Sequence, residues 1–234
     1  MNKVIKVDRV CTIAEALELE NLGVDIIGVT LNNTSVYPDN RVLNFECVSM
    51  ISNVLTSTKL AIEVSYNCSN LFELIEEMKP SYIQISGTEL IPIEQVKKLI
   101  EENVNLIYAG INASYQDDPS WILSRFIDSY SNVSFYQVDL LADIENSWEF
   151  FKSESHNYPE ELQTADIVKL GEEFPLLVSL DFNKGNVFEI IEVFSSARGV
   201  VLTLSDVIDM NNRHSVSYES VIELLGLIHA KKTK

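Results

Sequence analysis

Apolar residues along this chain follow two alternating rhythms. Short, β-branched runs read as strands, and stretches with apolar positions every three or four residues read as helices. The first run, Val4–Val7, ends in a charge pair, Asp8-Arg9. From Thr12, Ile13, Ala16, Leu17, Leu19 and Leu22 fall at helical spacing, and Gly23 closes that helix. Val24–Leu31 is a second buried strand, followed by a polar loop over Asn32–Asn40 and a helix over Asn44–Leu55. The pattern then predicts strand Lys59–Val64, helix Asn70–Met78, strand Tyr82–Ser86, helix Pro92–Glu102, strand Asn105–Ala109, helix Trp121–Tyr130 and strand Ser134–Leu140. A long polar stretch with Trp148, Phe150, Phe151 and His156 precedes a helix over Glu160–Leu170. Strand Pro175–Phe182, helix Asn186–Phe194, strand Gly199–Leu204 and helix Tyr218–His229 complete the series.

Strands that alternate strictly with helices predict a parallel sheet covered by helices. Eight such units in 234 residues fit an α/β fold of the (β/α)8 barrel type, a single domain over residues 1–234. A doubly wound open sheet is the alternative, but no Gly-x-Gly-x-x-Gly follows the first strand.

Composition narrows the partners. The net charge is -18, from 35 acidic and 17 basic residues. Such a field repels phosphate backbones and anionic membrane surfaces, so neither nucleic acid nor membrane is expected as a partner. A small-molecule substrate is expected instead, with the chain a monomer or homodimer. No segment has the ~20 apolar residues of a membrane-spanning helix. The first residues lack the apolar run and cleavage site of a secretory signal. Cys11, Cys47 and Cys68 match no zinc or redox spacing, and their odd number fits a reducing, cytoplasmic location. His156, His214 and His229 do not pair at metal-ligand spacing, so neither a metal nor another cofactor is expected.

Barrel chemistry sits at the C-terminal ends of the strands. Those ends carry Asp8 and Arg9, Asn32, Glu63 or Ser65, Ser86, Asn112, Asp139, Asp181 or Asn183, and Ser205 or Asp206. Two carboxylates across a barrel mouth suit acid/base work, one ionised and one protonated. Four aspartates together suit a divalent cation as well, though no Asp-x-Asp marks the strand ends. Any single Asp suits a helix cap equally well, and all four together do so less well. Tyr82, Tyr108 and Tyr136 lie within strands and read as packing. His214 follows Asn211-Asn212-Arg213 on the loop after strand eight, within reach of the site, and reads first as a solvated loop residue. Trp148, Phe150 and Phe151 fit either a lid or packing of an irregular sixth unit.

Five motifs in order resemble the phosphoribosylanthranilate isomerase family. Lys6-Val7-Asp8-Arg9-Val10-Cys11, then Ala16-Leu17, resembles its Lys-Ile-Cys-Gly-Ile-Thr and following Ala-Leu. Gly23-Val24-Asp25-Ile26-Ile27-Gly28 is similar to Gly-Ala-Asp-Ala-Ile-Gly. Ile83-Gln84-Ile85-Ser86-Gly87 is similar to Val-Gln-Leu-His-Gly, with Glu89 close behind. Gln137-Val138-Asp139 resembles Leu-Leu-Asp on the sixth strand. Val178 to Val187 resembles Leu-Ser-Gly-Gly-Leu-x-Pro-Glu-Asn-Val on the seventh. The match is weakest over Ile144–Leu170.

The resemblance implies a (β/α)8 barrel and an Amadori rearrangement of an aminoaldose phosphate, with a Cys base and the strand-six Asp as acid. On that template Asp139 is the acid and Asp8 stands at the base position. Related sugar isomerases of histidine synthesis use an Asp there. The template also makes Arg41 the substrate-gripping arginine. The departures fall on the phosphate site. The family seats the phosphate on glycines, whose backbone N–H groups approach it closely. Here Leu140 to Trp148 contains no glycine, Leu180-Asp181 replaces Gly-Gly, and Leu204-Ser205-Asp206-Val207 replaces Ser-Ser-Gly-Val. Carboxylates where a dianion should sit imply that the phosphate site is lost, since each like-charge contact near ~4 Å costs a few kcal/mol. The expectation is a divergent isomerase-like enzyme with Asp8 and Asp139 catalytic. Lys6, Arg9, Arg41, Ser86, Asp181, Ser205 and Asp206 are then expected to bind a small polar, non-phosphorylated substrate. A non-catalytic binding barrel and a true phosphoribosylanthranilate isomerase are the alternatives.

Overall fold

In the computed structural model the described residues are 3–31, 41–65, 68–86, 91–124, 133–207 and 214–232. The expected loop Asn32–Asn40, the residues Gly87 and Glu89, the second half of helix Trp121–Tyr130 and Asn211–Arg213 lie outside them. Eight parallel strands form a closed ring: β1 Val4–Asp8, β2 Ile26–Leu31, β3 Lys59–Val64, β4 Tyr82–Ser86, β5 Asn105–Ala113, β6 Val133–Leu140, β7 Leu176–Ser179 and β8 Gly199–Leu204. The ring closes where β1 pairs along its whole length with β8, from Val4 opposite Gly199 to Asp8 opposite Thr203. The fold is the single-domain (β/α)8 barrel that the alternation predicts.

The helices that cover the ring are α1 Ile13–Asn21, α2 Phe45–Val54, α3 Leu71–Met78, α4 Ile93–Glu101, α5 Pro119–Ile122, α6 Thr164–Glu173, α7 Val187–Val193 and α8 Tyr218–Lys232. Their apolar faces and the outward strand residues make one continuous core. Thr12 caps α1 by accepting the N–H of Glu15, and Asn44 caps α2 by accepting that of Cys47. Two two-residue strands extend the ring at its mouth: Val42–Leu43 beside β2 and Ser215–Val216 beside β8.

Several boundaries differ from the sequence pattern, among them the helix expected over Glu160–Leu170, which runs Thr164–Glu173. β5 runs on to Ala113, because Gly110, at φ +69°, opens a bulge and pairing resumes from Ile111 opposite Val138. β7 stops at Ser179, so Asp181 stands beyond the strand. The polar stretch after β6 is helical: an α-turn at Ser147–Glu149 runs into a π-helical turn, Phe150–Glu154, and a 3-10 turn, Ser155–Asn157. Within it Trp148 and Phe151 are buried edge-on against Phe194, with ring centroids 6.0 and 6.2 Å away. Those two aromatics are packing for the sixth unit.

In-register neighbours on parallel strands face the same side, so the barrel interior can be read layer by layer. At the N-terminal end it is apolar: Ile26, Ala61, Tyr82 and Ile107, joined by Val4 and Phe135. One pleat nearer the mouth, Lys6, Gln84 and Gln137 replace the apolar side chains. A further pleat on, Asp8 and Ser86 end their strands and Asp139 stands next to last in β6.

Candidate active site

The first charge in the barrel is Lys6, which is fully enclosed. Its ammonium donates to the Asp8 carboxylate, to Gln84 Oε1 at 2.6 Å and to Gln137 Oε1 at 2.9 Å. Three acceptors match its three N–H groups. Desolvation pushes the Lys6 pKa down, and the neighbouring Asp8 carboxylate pulls it back up. Gln137 closes the cycle, donating from Nε2 to Asp8 Oδ2 at 3.0 Å. Asp8 is 3% exposed and Arg9 is buried as well. Arg9 has φ +65°, turning the chain off the strand end towards α1. Beside this cluster Glu63 accepts from Thr30 at 2.7 Å.

The second cluster lies at the mouth. Asp139, on β6 between Asn112 of β5 and Ser179 of β7, keeps its side chain 32% exposed. Its Oδ1 is hydrogen-bonded to Nδ1 of His214. The other ring nitrogen of His214, Nε2, is 2.9 Å from Ser147 Oγ. His214 is thus not the solvated loop residue its polar neighbours imply; it is 6% exposed. The strand Ser215–Val216, paired to β8, holds it over the barrel. Nothing local in the sequence marks His214 or Ser147. Seventy-five residues separate His214 from Asp139, and only closure of the ring brings them together.

Asp181 joins the mouth from the loop after β7. Its Oδ1 accepts the N–H of Trp148 at 2.9 Å, at the start of the helical stretch. Burial pushes its pKa up, opposed by the Trp148 N–H and by the charge of His214. Asn186 holds the backbone carbonyl of Asp181 at 2.8 Å.

Arg41, which the resemblance makes the substrate-gripping arginine, is engaged within the chain. It is buried and turned inward. It donates to Glu15 from both terminal nitrogens, at 2.6 and 3.2 Å, to Asp206 from Nε at 2.8 Å, and to the Arg9 carbonyl at 3.0 Å. Asp206, expected among the substrate-binding residues, is salt-bridged within the chain. Arg41 also reaches Cys11 Sγ at 3.3 Å. Cys11, three positions past the family's catalytic cysteine, is no ready base: burial and Glu15 push its thiol up to about 11. Ser205 closes a local turn with Val207, and its N–H binds the Val216 carbonyl. Ser86 ends β4, half-buried. Among the described residues no three His, Cys, Asp or Glu side chains gather at metal-binding spacing.

The structure thus brings Lys6 and Asp8 together, joins Asp139 to His214 with Asp181 near enough to feel the imidazole's charge, and sets Arg41 with Asp206 in a third group. Chemically, the first is an enclosed ion pair, and the second is a carboxylate–imidazole pair open on one edge.

The whole barrel is similar to solved phosphoribosylanthranilate isomerases. For the enzyme of Pyrococcus furiosus the TM-score is 0.67 at 16% identity, covering 96% of this chain and 98% of that one. For that of Thermotoga maritima it is 0.65 at 17%, covering 99% and 100%. A phospho-2-dehydro-3-deoxyheptonate aldolase of Thermotoga maritima matches at 0.58 and 12%, over 97% of this chain and 68% of the other. At these identities the likeness is one of fold. No protein-family model and no curated protein matches the chain.

Proposed function

We propose that this barrel, with the fold of the phosphoribosylanthranilate isomerases, is a proton-transfer enzyme of isomerase type. Asp8 is its base and Asp139, coupled to His214, its acid. The observation that carries the reading is the unlike pairing of the two carboxylates. Asp8 lies against an enclosed ammonium, Lys6, whereas Asp139 lies against an imidazole, which can hold or release a proton. An isomerisation needs one group to take a proton and another to give one, and unlike partners separate those roles.

The substrate is small, polar and non-phosphorylated. Two observations support this. The N–H of Trp148 is already taken by the Asp181 carboxylate. Arg41, the cation best placed to hold a substrate anion, is neutralised by Glu15 and Asp206. A phosphate entering there would meet carboxylates and find few donors.

Proton exchange provides the test without a known product. A panel of aldoses and aminoaldoses is incubated with the protein in deuterated water, and loss of the C2 proton is followed by NMR. Exchange that is abolished in Asp8→Asn and Asp139→Asn, with both variants folded, supports the reading. Exchange that survives both changes overturns it. Robust growth of a tryptophan auxotroph carrying this chain would overturn the non-phosphorylated substrate.

A second reading draws on the enclosure of Asp8. Both its oxygens are engaged, by Lys6 and Gln137, as a structural ion pair would be. On that reading the barrel binds a small molecule or a protein without turnover. No exchange with any member of the panel, together with saturable binding of one of them, favours it.

A further inference from the structure

We infer that Ser147 fixes the tautomer of His214, so that the mobile proton of the Asp139–His214 pair lies on the Asp139 side and enters or leaves the mouth through Asp139. The inference rests on the proposed acid role of Asp139 and adds the residue that sets it. Ser147 is completely buried, and its Oγ has three polar neighbours: the carbonyl oxygens of Leu141 at 2.9 Å and Ile144 at 2.8 Å, and His214 Nε2 at 2.9 Å. A serine hydroxyl has one proton to give. Carbonyl oxygens can only accept, whereas a ring nitrogen can donate. If the serine proton went to Nε2, both carbonyls would face the lone pairs of Oγ. If the serine gives its proton to one carbonyl and accepts from Nε2–H, only the other carbonyl faces a lone pair. Assigning the tautomer from the surrounding hydrogen bonds therefore puts a permanent proton on Nε2.

The other nitrogen, Nδ1, faces Asp139 Oδ1. With Nε2–H fixed, the pair holds one further proton, on Nδ1 or on the carboxyl. The imidazole side chain is 4% exposed and that of Asp139 32%, so the open edge of the pair belongs to Asp139. Asp139 is the group that meets the reacting atoms; His214 stores its proton, and Ser147 is a positioning residue. Asp181, across the mouth, is the other carboxylate that feels the charge of His214. The helical stretch after β6 supplies Ser147, and it also carries the Trp148 N–H that holds Asp181. That one helical stretch thus supplies a hydrogen-bond partner of the histidine and holds the nearby Asp181.

The test is nitrogen-15 NMR of the intact chain labelled at histidine. There are three histidines, and His214→Gln identifies the signals of interest. Across the histidine titration range, Nε2 of the wild type should stay in the protonated region while Nδ1 alone shifts. In Ser147→Ala the neutral ring should populate the Nδ1–H form, and Ser147→Thr, which keeps the hydroxyl, should restore the wild-type pattern. An Nε2 signal in the wild type that moves to the deprotonated region, or an Nδ1 signal that does not move, would overturn the inference. The wild-type spectrum decides even if the alanine variant fails to fold. None of these readouts needs turnover, so they stand or fall apart from the proposed catalytic role.

Discussion

Gly28 on β2 lies directly against Asp8 on β1. A Cβ at position 28 would stand 1.9 Å from Asp8 Oδ1 and 3.0 Å from its Cγ. The glycine is the space in which the enclosed carboxylate sits. Gly28→Ala should therefore drive Asp8 off Lys6 and Gln137 and cost about 1–3 kcal/mol, the usual range for overpacking a filled interior. Chemical denaturation measures it. Repeating the change in an Asp8→Ala background removes the clashing side-chain atoms, and the two costs should then fall short of additive. Full additivity would mean that the contact is not what Gly28 protects.

Arg41 joins two carboxylates of unlike exposure, Glu15 at 13% and Asp206 at 56%. Solvent screens the second pair, so Asp206→Asn should cost less than about 1 kcal/mol. Glu15→Gln should cost more, because its carboxylate meets both terminal nitrogens of a buried guanidinium and accepts the Cys11 N–H. Arg41→Lys should not restore the wild type, since an ammonium cannot span both partners. Denaturation midpoints of the three variants give the ranking, and an Asp206→Asn loss as large as that of Glu15→Gln would refute it.

Glu20 sits in a ring of donors from the loop before β3: the N–H groups of Thr58, Ser57 and Thr56 at 2.7 to 2.9 Å, with the Ser57 hydroxyl at 3.2 Å. They pull its pKa from 4.5 to about 2. A carboxylate with a depressed folded pKa stabilises the fold above the unfolded value, and that stability fades as pH falls from about 4.5 towards 2. Glu20→Gln should flatten this part of the acid-unfolding curve. Identical acid limbs for the two proteins would show that the loop does not depend on the charge.

Asp181 has the opposite sign. Burial raises its folded pKa, so folding favours the protonated form, and stability falls as pH rises through the window between the unfolded and folded values. At neutral pH the ionised carboxylate opposes the fold. Asp181→Asn keeps an oxygen for the Trp148 N–H and removes the charge, so it should raise the thermal midpoint at neutral pH. The gain should shrink on acidification. A lower midpoint at neutral pH would show that the charge is needed where it is.

How much of this was legible in the sequence can be traced element by element. The barrel was, because the period of apolar positions depends only on which local structure repeats, and eight units close a ring. The bulge at Gly110 and the early end of β7 were not, because register is set by the neighbouring strand. The aspartates at the mouth were visible as strand ends, and Asp8, Asp139 and Asp181 are there.

The sequence by itself determined the elements, their order and the candidate residues, because local propensity and periodicity are written in short stretches of chain. Only the tertiary structure decided which charges meet. Closure of β1 on β8 and the docking of the chain after each join Arg41 to Asp206, 165 residues away, and His214 to both Asp139 and Ser147. A charge at a strand end is a binding group or a salt-bridge partner according to what the fold sets opposite it. That spacing of a few ångströms is fixed by packing across the ring, which no single stretch of sequence contains.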